Sequence, residues 1–564
     1  MPLDRRRTSR RGERRSGSSG PPNTIIVPGT LALMLTRRQL LRRSGAASAV
    51  AVLAPQTALT AVASPRARAS ALLRGGTFSQ GVLSGDPTPN GITLLTLLDD
   101  VAGAGSVRLE VATDRDFRRV VASRSIATSG ARNHSVKARL KGLKPHERYF
   151  YRFETRDKHS PVGRFQTALP ADSTQPVRFA FFSCADYTHG YYNAYELMAR
   201  EDVDFVVNLG DYIYAEAYHT RKGGTGVRDD KTARTLTGYR DKYALYRSDA
   251  ALRDVHARFP IVSIWDDHEV QDNYAGAAPR GGLAPDKHYS AARRKAAYKA
   301  FFEAMPFFPQ GSSRIYRDLT FGKTVDLIML DQRQYRADQP CGDATAGPAC
   351  ADFAAPRPFL GGTQMAWAKQ RLQSSQAAWK VIGNEVMMMN TKVGPATYLS
   401  FDSWQGYHAE REELLAHIQA KGIRDVVFVT GDIHTFFAGD VRTADSTGQT
   451  VALEFVGGSI TSQGLGETDL DLGGGNVLKG NDRRPATPPA VIDALRGLNP
   501  WVDQADFDHH GYGLVTATQT SFDVTLKRVP TIKKRSRAAL PSLGFTYSVA
   551  RGQASIKGVN GPPA

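Results

Sequence analysis

Lysine is absent from the first 69 residues, which carry thirteen arginines against two acids, Asp4 and Glu13, a net +11. The whole chain of 564 residues carries +18, which leaves only +7 for residues 70–564. So thin a surplus over so long a stretch excludes the basic footprint of a nucleic-acid binder, and no specific nucleic-acid partner is expected. Internal repeats are absent as well. The one stretch that invites reading as a membrane anchor, in residues 44–64, is Ala-rich rather than Leu-rich and runs into Pro65. It lacks the hydrophobicity of a stable span, so none is expected in the mature protein. Cysteine is scarce, with three residues: Cys184, Cys341 and Cys350.

The basic front end has a more specific reading. "TRRQLLRRSGAASAVAVLAPQTALTAVASPRARA" pairs Arg37 with Arg38, continues through a mildly apolar segment and closes on Ala67-Arg68-Ala69. This is the pattern of a twin-arginine export signal with an A-x-A cleavage site. Residues 1–69 are therefore expected to be a signal peptide, and "MLTRRQLLRR" from Met34 forms a compact basic n-region by itself. The expected partner is the twin-arginine translocation machinery, and the expected location is secreted or cell-wall associated. In an oxidising compartment Cys341 and Cys350, which bracket "CGDATAGPAC", are expected to form a disulfide. Cys184 is then alone, and alone it reads as an inert buried thiol.

Two patterns divide the rest of the chain. Residues 70–170 read as short alternating strands without a long helix, as in "SVRLEVATD" and "RYFYRFET", and a small all-β domain of fibronectin or Ig type is expected. Residues 176–530 alternate short apolar runs with helical segments such as "SAARRKAAYKAFFEAM", which implies a layered α/β domain. Residues 531–564 are basic and then Gly/Pro-rich. They read as a loosely held tail, in which "SLGFTYSVARG" is the piece able to dock.

In an α/β fold ligands sit at the carboxyl ends of strands. The ends here carry, in order, Ser183-Cys184, Asp211 with Tyr214, Asp266-Asp267-His268-Glu269 followed by Asn273, Asp331 with Arg333, Asn384, and Asp432 with His434. One such terminus is ordinary turn chemistry. Six in succession, rich in carboxylates with few basic partners, imply cations, because buried carboxylates are costly unless paired or metal-bound.

These boxes resemble the metallophosphoesterase superfamily, and within it the PhoD-like alkaline phosphatases. The residues carrying the likeness are "SC" at 183–184, "GDYIYAE" at 210–216, "WDDHEVQDNYAG" at 265–276, "DQRQYR" at 331–336, "GNEVMM" at 383–388, "GDIH" at 431–434 and "HHGYG" at 509–513. A likeness to purple acid phosphatases through Tyr214 is shorter. The resemblance implies a β-sandwich flanked by helices, preceded by the all-β domain. It also implies a cluster of Fe3+ and Ca2+. Cys184, Asp211, Tyr214 and His434 match the iron ligands, and Asp267, Asn384 and Asp432 match the calcium side with Asp211 bridging. Thiolate, phenolate and imidazole suit iron, and carboxylate and amide oxygens suit calcium.

The implied activity is hydrolysis of phosphomonoesters or phosphodiesters by metal-activated in-line attack. The alternatives are a phospholipase D-like or teichoic-acid-type phosphodiesterase on the same scaffold, and a non-catalytic wall-binding protein, which the full ligand set disfavours. Arg333 is the candidate clamp for a phosphoryl oxygen, against a plain salt bridge with Asp331. His268 is the candidate proton donor to the leaving oxygen, against a structural role. His189 and His510 read as surface histidines. A monomer is expected.

Overall fold

The computed structural model describes residues 71–216, 231–276, 290–342, 347–445, 447–471, 477–480, 486–537 and 544–556. The expected export signal, residues 1–69, lies outside the described residues.

Two sheets face each other across the main core. The first runs Gly544–Ala550, Ser521–Val529, His510–Ala517, Val177–Phe182, Phe205–Asn208, Pro260–Ser263, Val82–Thr88, Gly91–Leu97 and Ser135–Lys141. Its central strands from Val177 to Thr88 in this order are parallel. The second runs Arg317–Phe321, Val325–Met329, Trp379–Asn384, Val426–Thr430, Thr450–Gly457, Phe436–Arg442 and Val502–Asp506, with four parallel strands from Val325 to Gly457.

The strand pattern explains the layering. In the second sheet Leu327, Val381, Val427, Val429 and Phe455 point into the core shared with Phe179, Phe181 and Val206 of the first sheet. Their neighbours Ile328, Ile382, Phe428 and Val456 point the other way, onto Met365, Leu372, Leu414 and Ile418 of the helices Gly361–Ser374 and His408–Ala420. Both faces are buried, so these strands read as continuous apolar runs rather than alternating ones. The helices Ala250–Arg258 and Ala291–Ala304 contribute Leu252, Val255 and Phe301 to the main core. Helices, two sheets and helices make a mixed α/β architecture of four layers.

In-register parallel pairing places the functional strand ends on one edge. Phe182 lies opposite Asn208, and Asn208 opposite Ser263; Met329 lies opposite Gly383, and Asn384 opposite Thr430. The polar turns that follow all emerge there.

The N-terminal region is less separate than its composition suggests. A four-stranded sheet of Val120–Thr128, Gly105–Ala112, Arg148–Glu154 and Gly163–Gln166 shares its own core with Leu94, Val136 and Leu140. Yet Val82–Thr88, Gly91–Leu97 and Ser135–Lys141 extend the nine-stranded sheet, with Ser84 paired to Pro260. In the C-terminal tail the piece expected to be able to dock does so. Gly544–Ala550 is an edge strand on Ser521–Val529, and Ile556 is fully buried. The signal was present as period-2 alternation, since Phe545, Tyr547 and Val549 face the core. Cys341 and Cys350 are joined by a disulfide.

Candidate metal centre

Five of the polar residues at the strand ends have left-handed backbones: Cys184 at φ 58°, Asp211 at 52°, Asn273 at 49°, Asp432 at 66° and His434 at 56°. Non-glycine residues adopt this region rarely, and strain of this kind collects at functional sites. Gly210 before Asp211 stands at φ 108°, and a Cβ there would lie 2.3 Å from Asp266 Cβ. Only glycine lets the second strand end pass that close to the third.

The strained turns converge. Donor atoms of Cys184, Asp211 and His434 lie within 4.8 Å of one another, as do those of Asp211, Asp267 and His268, and those of Asp266, Asp267 and Asp432. Tyr214 Oη is 3.1 Å from Asp211 Oδ2 and 3.1 Å from His434 Nε2. The His434 ring donates from Nδ1 to the Gln463 carbonyl at 2.9 Å, so its Nε2 is the acceptor facing Tyr214. Asp211, Asp267, His268, Asn273, Asp432 and His434 line one cavity of about 210 Å³.

The electrostatics are those of a site built for cations. Burial pushes the Cys184 thiol well above its usual range, and Asp211 pushes it further. Burial also raises the Asp432 carboxyl, with Asp266 adding to it, and the Tyr214 phenol, with Asp211 adding to it. Such groups lie together in the interior either by staying protonated or by meeting positive charge. The donor set fits the latter: sulfur, phenol, imidazole and carboxylate on one side, carboxylates on the other.

The Trp-Asp-Asp-His-Glu run divides its labour. Trp265 Nε1 donates to Asp331 Oδ1 at 3.1 Å. Asp266 accepts from Arg333. Asp267 faces the cavity and accepts the Asn273 backbone N–H. His268 Nδ1 contacts Glu216 Oε2 at 2.8 Å, and its ring lies 4.1 Å from that of Tyr214. Glu269 is no ligand. Its carboxylate accepts the backbone N–H groups of Tyr212 at 2.6 Å, Asp266 at 2.8 Å and Asp211 at 3.1 Å, tying two strand ends together. Glu269→Ala would leave three buried donors unpaired. An unfolding free energy lower by about 3 kcal/mol is expected in denaturant titration, and a loss under about 1 kcal/mol would contradict this role.

The expectations for four residues need correction. Asn384 is fully buried away from the cavity. Its Oδ1 accepts from Gln332 and from Trp404 Nε1 at 3.0 Å, and its Nδ2 donates to the Val386 carbonyl and to Thr430 Oγ1. The carboxamide residues that do line the cavity are Asn273, Gln339 and Gln463, and of these Asn273 follows Asp267 in the same turn. Arg333 neither clamps from the cavity wall nor pairs with Asp331. It is fully buried, and its nitrogens engage Asp266, Asp402 at 2.6 Å, Asp432 at 3.1 Å and Asp267 at 3.6 Å. A guanidinium so occupied orients carboxylates instead of meeting a phosphoryl group. His189 and His510 are not surface residues either; both ring Nε2 atoms contact Glu467 Oε2, at 3.2 and 3.3 Å.

Sequence reading missed Asp402, Ser462, Gln463 and Glu467. Asp402 bridges Arg333 and Arg336. The others lie in a turn-like segment, "GGSITSQGLGE", with no charged cluster to mark it.

Fold and site together define a metal-dependent phosphoesterase. The PhoD-like phosphatase family matches residues 179–526, and that family's N-terminal domain matches residues 63–169. The chain belongs to the PhoD-like phosphatase family. It is 35% identical over 491 residues to alkaline phosphatase D of Bacillus subtilis (strain 168), covering 83% of this chain and 80% of that protein. The solved structure of PhoD superposes with a TM-score of 0.75 at 33% identity, covering 86% of this chain and 93% of that one. The protein is thus a hydrolase of phosphoric esters that depends on metal.

Proposed function

We propose that this chain hydrolyses phosphomonoesters or phosphodiesters at a pair of cations. Cys184, Asp211, Tyr214 and His434 would hold Fe3+. Asp267 and Asp432 would hold Ca2+, with Asp211 shared, and Asn273 lines the cavity where Asn384 does not. One observation carries the reading. Cys184, Asp211 and His434 bring their donor atoms within 4.8 Å, beside Tyr214 Oη, and Asp211 and His434 line the cavity. When bound, the cations neutralise the phosphoryl oxygens and activate the attacking water.

The chain's own residues do the rest. Arg333 holds Asp267 and Asp432 in place and offsets their charge. Glu216 orients His268 through Nδ1, and the ring lines the cavity, placed to protonate the leaving oxygen. Assays of an aryl phosphate monoester, its diester and a phospholipid, each with Ca2+ or with chelator, test the function. Chelator-sensitive hydrolysis of at least one aryl ester is expected. Fully metallated protein inert on all three would contradict it and leave a binding protein.

The same proposal makes residues 70–170 an all-β domain ahead of a catalytic domain at 176–530, in an exported monomer. The Cys341–Cys350 disulfide suits an oxidising compartment, and no described helix is long and apolar enough to cross a membrane. Changing Arg37 and Arg38 to lysine is expected to hold precursor in the cytoplasm. Normal secretion of that variant would rule out the twin-arginine route.

A further inference from the structure

Residues 459–467 contribute no metal ligand, yet they touch three of the four on the iron side. Ile460 N–H donates to the Ser183 carbonyl at 3.1 Å. Thr461 and Ser462 N–H donate to the Cys184 carbonyl at 3.3 and 3.2 Å, holding the residue whose φ is 58°. The Gln463 carbonyl takes the His434 Nδ1 proton. Ser462 Oγ lies 2.6 Å from Tyr214 Oη and 2.9 Å from the Cys184 carbonyl, and it accepts the Asp186 N–H at 3.1 Å. The segment is itself pinned, since Glu467 is held by His189, His510 and Gly464 N–H.

A serine hydroxyl has one proton to give. The Asp186 N–H already fills one of its lone pairs, and two acceptors compete for the proton. The closer is the Tyr214 oxygen, and an anionic oxygen attracts a donor more strongly than a neutral carbonyl.

We propose that Ser462 is a positioning residue of the iron side, whose hydroxyl donates to the Tyr214 oxygen and sets how strongly that oxygen donates to the cation. This rests on the reading of Tyr214 as an iron ligand. A hydrogen bond to a ligand oxygen draws electron density away from the metal, and groups that contact ligands in this way tune affinity and activity. Without it the phenolate is the stronger donor. Its charge-transfer absorption then falls at lower energy, and Fe3+ is harder to reduce.

The test uses the holoenzyme as isolated, with visible spectrum, iron content, reduction potential and kinetics measured on wild type, Ser462→Ala, Ser462→Cys and Ser462→Thr. In Ser462→Ala the band is expected at longer wavelength, the potential is expected to be lower, and kcat/KM is expected to fall by about tenfold to a hundredfold. Ser462→Thr, which keeps the hydroxyl, is expected to return the band towards wild type. Should the alanine variant fail to fold, Ser462→Cys, a weaker donor of similar shape, carries the test with a smaller shift in the same direction. An unchanged band and potential in a variant that retains iron would overturn the inference, even if activity fell, because the loop would then be structural only. A wild-type protein with no such band would instead remove the reading of Tyr214 as a ligand, and this inference with it.

Discussion

Asp211→Ala is expected to lower kcat/KM by at least about a thousandfold, the equivalent of roughly 4 kcal/mol of transition-state stabilisation. The reason is position. Asp211 belongs both to the group with Cys184 and His434 and to the group with Asp267 and His268. It also accepts from Tyr214 Oη and from the His268 backbone N–H at 3.3 Å. Asp267 is likewise shared, between the groups with His268 and with Asp266 and Asp432, but among the described residues Asp211 alone links these carboxylates to Cys184 and His434, so its loss is expected to disturb both cations. Elemental analysis beside kinetics checks the point. Lost activity with less than the wild-type complement of metal is expected. Lost activity with full metal content would make Asp211 an acid or base, and retained activity would remove the centre altogether.

Stripping the metals is expected to abolish hydrolysis and to destabilise the fold. Asp211, Asp266, Asp267 and Asp402 are buried around the centre and Asp432 is half-buried, and the guanidinium groups facing them belong to Arg333 and Arg336. Without further positive charge the carboxylates must repel one another or take up protons. A cation at one hundred times its dissociation constant stabilises the native state by about 3 kcal/mol, and removal returns that amount. Thermal unfolding with chelator, compared with excess Ca2+ after iron loading, measures it. A lower midpoint with chelator, restored on re-addition, is expected. Identical midpoints would show that the acids need no cation.

Much of the centre was legible because the physics that builds it is local. A short apolar run ending in Gly-Asp or Ser-Cys marks a buried strand and its carboxyl edge. In-register parallel pairing then assembles those edges without further information. Asn384 misled for the same reason. It ends a central strand like the others, but its amide turns towards Thr430 on the neighbouring strand and Val386 just past the end of its own, and nothing in the local pattern reveals that choice. Arg333 reads from the sequence as a phosphoryl clamp, with Asp331 as its alternative partner, because its actual partners come from three other segments, at 266–267, 402 and 432. The segment at 459–467 was invisible because its work is done by backbone groups and one hydroxyl, which composition does not distinguish from an ordinary turn.

The most direct measurement is an anomalous difference map at the iron edge from crystals of the protein as isolated. A single strong peak is expected among Cys184 Sγ, an Asp211 oxygen, Tyr214 Oη and His434 Nε2, within coordination distance of all four, with a second cation that is not iron beside Asp267 and Asp432. A map without iron among those four side chains, or with iron elsewhere, would contradict the account.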